Sequence, residues 1–135
     1  MSDHVRLIRS TGLSDVAQYA YVSTVRGGSR LVFPAGACPL DADGRTVGVG
    51  DYAAQAVQCV ANLRLALGAA GARFADVVYT RVLVASTRQR DLVAAWDVVR
   101  AAFGDHDVPS TLMGVTVLGY DDQLVEIEAV AAVAE

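Results

Sequence analysis

Glutamate is scarce in this 135-residue chain: of fifteen acidic residues only three are Glu, and two of those are Glu126 and Glu128. In a strand, residues two apart leave the pleat on the same side, so these carboxylates stand roughly 7 Å apart while Val125, Ile127 and Ala129 face the other way. A carboxylate partly shielded in a cleft can position water or take its proton as a general base. On an open sheet the same alternation is a solvated strand face. Tyr19 and Tyr21 share a strand face by the same rule, and each phenol can donate a hydrogen bond or wall an apolar pocket. Cys38 sits in a loop flanked by Gly36 and Pro39 with no cation beside it to lower its pKa, so it reads as a small apolar filler; Cys59, mid-helix, reads as structural. His106, between Asp105 and Asp107, reads as a residue of a surface turn. Ser110, His106 and Asp107 supply the types of a nucleophilic triad but lie too close in one loop to converge, and no nucleophile elbow surrounds the serine.

Missing residue types exclude whole chemistries. All eleven basic residues are Arg, so Schiff-base catalysis, a pyridoxal phosphate anchor and a Walker A loop lack their amine. Two His and two Cys, widely spaced, cannot build a Cys/His zinc cluster, and neither a metal nor another cofactor is expected. Gly48-Val49-Gly50 before a helix imitates a dinucleotide fingerprint, but only Arg45-Thr46-Val47 precedes it where a buried parallel strand is required. The two cysteines form no disulfide framework and the opening residues MSDHVRLIRS carry no signal-peptide core, so a cytoplasmic location is expected. No apolar run approaches the roughly 20 residues of a membrane helix. With 53% apolar residues and a net charge of -4, residues 1–135 are expected to fold as one domain.

The elements that must carry these side chains follow from periodicity. Short apolar stretches at residues 5–9 and 19–25, then Gly27-Gly28-Ser29 and Leu31-Val32-Phe33, predict strands around a hairpin. The segment Pro39–Gly50, with its Asp and Gly residues, predicts a loop. Ala53, Ala56, Val57, Val60, Leu63, Leu67 and Ala70 mark one helical face, with Asp51 as N-cap and Gly71 just past the C-terminus. A strand is predicted over Val77–Val84, with Val78, Thr80, Val82 and Val84 opposite Val77, Tyr79, Arg81 and Leu83. A second helix runs from Gln89 to Phe103, with its stripe at Leu92, Ala95, Trp96, Val99 and Phe103 and Gly104 ending it. Strands at about Thr111–Leu118 and Gln123–Val133 complete the order β-β-β-α-β-α-β-β. Two helices can cover only one side of such a sheet, so the other face needs cover, and another subunit is one source of it.

Several runs together resemble one family over nearly the whole chain. These are Leu31 to Leu40 (LVFPAGACPL), Ala54 to Leu63 (AQAVQCVANL), Asp76 to Thr80 (DVVYT), Phe103 to His106 (FGDH) and Val125 to Ala129 (VEIEA). The chain resembles the Rid family, also called YjgF-like or L-PSP proteins. The resemblance implies an α+β, chorismate-mutase-like fold assembled as a homotrimer with clefts between subunits. It implies hydrolysis of reactive enamine or imine intermediates by an arginine that grips a carboxylate, a water-positioning glutamate, an early tyrosine and the backbone of a Ser-Gly pair. Residue by residue, the glutamate falls on Glu126, the tyrosine on Tyr21 or, with a different gap, Tyr19, and the Ser-Gly pair on Ala35-Gly36. The family's Pro-x-Arg-Ser/Thr segment becomes Val108-Pro109-Ser110-Thr111, so Ser110 stands in place of the guanidinium, and Trp96 replaces an asparagine of the second helix. A serine offers one neutral hydrogen bond where arginine offers charge and a bidentate fork.

The sequence therefore predicts an Arg-less Rid-type hydrolase or deaminase acting on a neutral or unusually anchored small molecule. Glu126 and Tyr21 are the catalytic candidates; Tyr19, Ala35, Gly36, Cys38, Trp96, Ser110 and Thr111 are the substrate-binding candidates. The rival expectation is a noncatalytic trimer that binds a metabolite or a partner protein. An acidic chain without Arg interleaved among aromatics gives RNA little reason to bind, and no nucleic acid or membrane partner is expected.

Overall fold

The side chain of Asp51 accepts a hydrogen bond from the Ala54 amide and starts helix α1 (Tyr52–Ala69), as predicted. Gly71, at a positive φ of 74°, lets the chain leave that helix. The second helix, α2 (Gln89–Phe103), has the predicted bounds and closes on Gly104, also at positive φ. The computed structural model describes residues 2–10 and 12–135. The strands are β1 (Val5–Ile8), β2 (Val22–Val25), β3 (Arg30–Val32), β4 (Val77–Val84), β5 (Ser110–Gly114) and β6 (Val125–Val133). The element order is the expected one, and the mixed sheet with two helices makes a single α+β domain.

Pairing departs from expectation in one place. The turn at Gly27-Gly28-Ser29 forms, with Gly28 at φ 84°, but β2 and β3 do not make a hairpin across it. Instead β2 pairs antiparallel with β1, and β3 crosses to β6 in a four-stranded sheet of order β3-β6-β4-β5. A glycine turn fixes where the chain reverses, whereas the partner is chosen by long-range burial. Both final strands are also shorter than predicted: β5 stops at Gly114 and β6 begins at Val125.

Burial follows the pleat. Val125, Ile127, Ala129 and Ala131 of β6 are buried against the helices, while Glu126, Glu128 and Val130 are half-buried on the opposite face. On β4 a register shift between Val77 and Tyr79 moves Val77 inward and Val78 outward, correcting the strict alternation expected from sequence. The predicted α2 stripe holds, with Ala95, Val99 and Phe103 buried and Leu92 and Trp96 packed beside them. The α1 stripe is rotated: Val57 is 58% exposed, whereas Gln55 and Cys59 are fully buried. His106 is likewise buried, not on a surface turn; its Nε2 pairs with the Val77 carbonyl at 2.7 Å and its Nδ1 has no partner. No described helix is long and apolar enough to cross a membrane.

The helices lie on one face of the sheet. The other presents Tyr79, Arg81 and Leu83 of β4, Thr111 and Met113 of β5, and Phe33 just past β3, which is 71% exposed. Leu63 is fully buried between sheet and helices, and Leu65, two residues on, is 74% exposed. Leu63→Ala is expected to lower unfolding free energy by roughly 2–5 kcal/mol in urea titration, and Leu65→Ala by less than about 0.5 kcal/mol.

Candidate functional site

Three amide side chains on α1 shape the region around Glu126. Gln55 donates to the Asp122 carbonyl at 2.9 Å and accepts from the Leu124 amide at 2.7 Å, fixing the turn that leads into β6. Asn62 donates to the carbonyls of Cys38 and Leu40, both at 2.8 Å, and Gln58 donates to Leu40 and to Asn62. The loop so held runs antiparallel beside β6, joined to it by paired bonds between Ala37 and Ile127. Backbone groups of these loops at the sheet's margin are satisfied by these amides, which is why polar side chains occupy this side of the helix.

That bridge lays Gly36 and Cys38, on either side of Ala37, against Glu126. The Cys38 thiol donates to Glu126 Oε1 at 3.2 Å, and the buried Gln123 donates its Nε2 to the same oxygen at 3.1 Å. Glu126 Oε2 lies over Gly36 so closely that a Cβ there would fall 2.3 Å from it. Ala35, next in the loop, is exposed. Burial, then the hydrogen bond and charge of Glu126, push the Cys38 thiol up from its ordinary 9.0 to about 11. Burial raises Cys59 further. Neither Gln123 nor Gln55 was legible as a site residue; a buried Gln three residues before the glutamate carries no motif.

The remaining candidates gather elsewhere. Tyr19, Trp96, Ser110, Thr111 and Leu112 line an open groove of about 350 Å³ along β5, and none of them is charged. Tyr19 meets Trp96 edge to face, with ring centroids 6.1 Å apart, and meets Tyr21 in the same way. Trp96 donates its Nε1 to Gln18 at 2.8 Å. Tyr21 is not among the groove residues, and its hydroxyl donates to the Ser14 carbonyl. Ser110 faces the helices, where its hydroxyl pairs with Thr80 at 2.6 Å and donates to the Val108 carbonyl at 3.0 Å. Thr111, on the open face, pairs with the Tyr79 hydroxyl at 2.9 Å. The guanidinium nearest in register, Arg81, is engaged with Glu128 at 2.7 Å. Among the described residues no three His, Cys, Asp or Glu side chains are placed to hold a metal.

Register separates the two groups. Leu83 of β4 pairs with Glu126 on one side and Met113 on the other, and Thr111 lies two residues before Met113. Two strand spacings and two residues put Glu126 and Thr111 roughly 12 Å apart along the face.

The sequence model of the Endoribonuclease L-PSP family matches residues 13–133. The chain belongs to this family. Solved structures agree with the assignment. A Rid-family protein of unknown function from Yersinia pestis is 29% identical with a TM-score of 0.89, over 96% of this chain and 99% of that one. A member of the YjgF/YER057c/UK114 family from Mycobacterium tuberculosis is 32% identical with a TM-score of 0.62, over the same shares. No curated protein matches the chain. The predicted residues thus fall into two separate groups, Glu126 with Gly36 and Cys38 beside β6 and the Tyr19–Trp96 groove at the β5 edge.

At pH 8 iodoacetamide is expected to label Cys38 about a hundredfold more slowly than an unperturbed thiol, two pKa steps being about a hundredfold in thiolate. Mass spectrometry of the labelled peptide reads the rate. The folded thiol is the more basic, so the unfolded chain loses this proton first. The stabilising contribution is complete below pH 9.0 and is lost as pH rises to about 11.

Proposed function

We propose that the protein hydrolyses a neutral imine, enamine or related reactive small molecule at a cleft completed by neighbouring copies in a homotrimer. Family membership supports a small-molecule deaminase or hydrolase role. The observation that carries the reading is the held carboxylate of Glu126, with one oxygen bound by Cys38 and Gln123 and the other over a glycine. Glu126 takes a proton from water as the oxygen adds to the imine carbon and the C=N π pair moves onto nitrogen, which is protonated. Glu126 then returns its proton to the nitrogen, the hydroxyl of the adduct passes its proton to the group that first protonated that nitrogen as the carbonyl forms, and the C–N bond breaks to release ammonia. Such substrates hydrolyse readily unaided, so positioning and one general base suffice.

The groove of Tyr19, Trp96, Ser110 and Thr111 is the substrate-holding half in this reading, with the backbone of Gly36 opposite. Tyr21 is the proton donor, exchanging the Ser14 carbonyl for the departing nitrogen. A separation of roughly 12 Å within one chain supports a cleft built from the glutamate half of one copy and the groove half of the next. The open face, with Phe33, Leu83 and Met113, supports the same assembly by offering apolar area for a second copy to cover. Because no charge lines the groove and Ser110 is engaged internally, a carboxylate ligand loses on the order of 2–5 kcal/mol against an arginine-bearing site. The engagement of Ser110 and Tyr21 with their own backbone also favours a second reading, a trimer that binds a neutral metabolite without turnover.

Light scattering is expected to give three times the monomer mass; a monomer at micromolar concentration overturns the shared cleft. Ammonia release from neutral imines and enamines is expected, with Glu126→Gln reducing it at least about a hundredfold. Equal rates for the two proteins across a broad panel overturn the mechanism and leave the binding reading. Thr111→Arg, at the groove position that faces the open side of the sheet, is expected to introduce 2-imino-acid hydrolysis that the parent lacks.

A further inference from the structure

The two oxygens of Glu126 have unlike surroundings. A carboxylate offers about four lone-pair directions, and here two donors, the Cys38 thiol and the Gln123 amide, converge on Oε1 at 3.2 and 3.1 Å. The Gln123 donor is not free to turn away, and the Cys38 thiol has the Gly36 carbonyl, at 3.5 Å, as a second and more distant acceptor. Gln123 is buried, its Nε2 also donates to the Val125 carbonyl at 3.1 Å, and its Oε1 accepts from the Tyr120 amide at 3.1 Å, which fixes the amide with nitrogen toward the glutamate. The loop bearing Cys38 is anchored through its carbonyl by Asn62. On the other side, Oε2 occupies the space that any side chain at position 36 would fill.

We propose that Cys38 and Gln123 are positioning residues that hold Glu126 Oε1, leaving Oε2, above Gly36, as the oxygen that takes the proton from water. The inference rests on the hydrolytic reading of this site and deepens it. An oxygen that accepts two hydrogen bonds has its density committed to them and is the weaker base of the pair, while holding it sets the direction of the other. A neutral thiol is well suited to this role, because it donates without adding charge and its raised pKa keeps the proton on sulfur across the physiological range. Gly36 then leaves room for Oε2 itself, which a side chain at that position would displace.

The test uses the whole protein with a neutral imine as substrate, and the thiol itself as a second readout. Cys38→Ala and Gln123→Leu are each expected to lower kcat about tenfold with KM unchanged, the loss of about 1.4 kcal/mol of orientation. Cys38→Ser, which keeps a donor, is expected to recover kcat to within about threefold of the parent. Iodoacetamide labelling against pH needs no turnover, and in Glu126→Gln the Cys38 midpoint is expected to fall part of the way from about 11, burial, the larger cause, still holding it above 9.0. An unchanged midpoint overturns the Cys38–Glu126 contact. Parental kcat in Cys38→Ala, or an equal loss in the Ala and Ser variants, overturns the positioning role while the hydrolytic reading stands. No turnover by the parent protein on any neutral imine overturns the hydrolytic reading, and with it the role given to Oε2.

Discussion

A loop that joins a sheet at a single bridge must find other partners for the rest of its peptide groups, and in this protein helix α1 provides them. Gln55, Gln58 and Asn62 satisfy carbonyls and an amide of the two segments that bracket Glu126. An orphaned buried carbonyl or amide costs on the order of 1–3 kcal/mol, so the helix, the bridged loop and the turn into β6 are bound to one another. The geometry of Gly36, Cys38, Gln123 and Glu126 is a product of that binding. Remove the amides and the carboxylate loses its frame, although it touches none of them.

The charge pattern of the open face follows from similar economy. Arg81 is the cation closest in register to the groove strand, yet it is held by Glu128 across the β4–β6 ladder, with both side chains well exposed. Such a pair contributes at most about 1 kcal/mol to stability. Its larger effect is on recognition, since it neutralises the guanidinium that would otherwise attract an anion to this face. With Ser110 turned toward Thr80, the groove is left with aromatic edges and neutral hydroxyls.

Much of this was legible in the residue order. The α2 stripe, both helix ends, the β6 alternation and the capping role of Asp51 are local consequences of period and side-chain chemistry, and they survive in three dimensions. What was not legible depends on partners distant in sequence. Gly28 signals a reversal but not that β3 will pair with β6 rather than β2. His106 reads as a surface residue until it is seen to be buried against the Val77 carbonyl that it binds. Cys38 reads as filler because its neighbour in chemistry, Glu126, lies 88 positions away. The family resemblance located Glu126 and Gly36 but carried no information about Gln123, whose role is defined only by the turn it occupies.

The approach of Glu126 Oε2 to the space above Gly36 also has a bearing on descent. Two positions that share one volume cannot drift independently. A side chain gains entry at 36 only after the one at 126 has been shortened or turned away, and restoring glutamate afterwards requires the glycine back first. The order in which replacements arrive is thereby constrained, because filling the glycine by itself already drives the carboxylate from its present position.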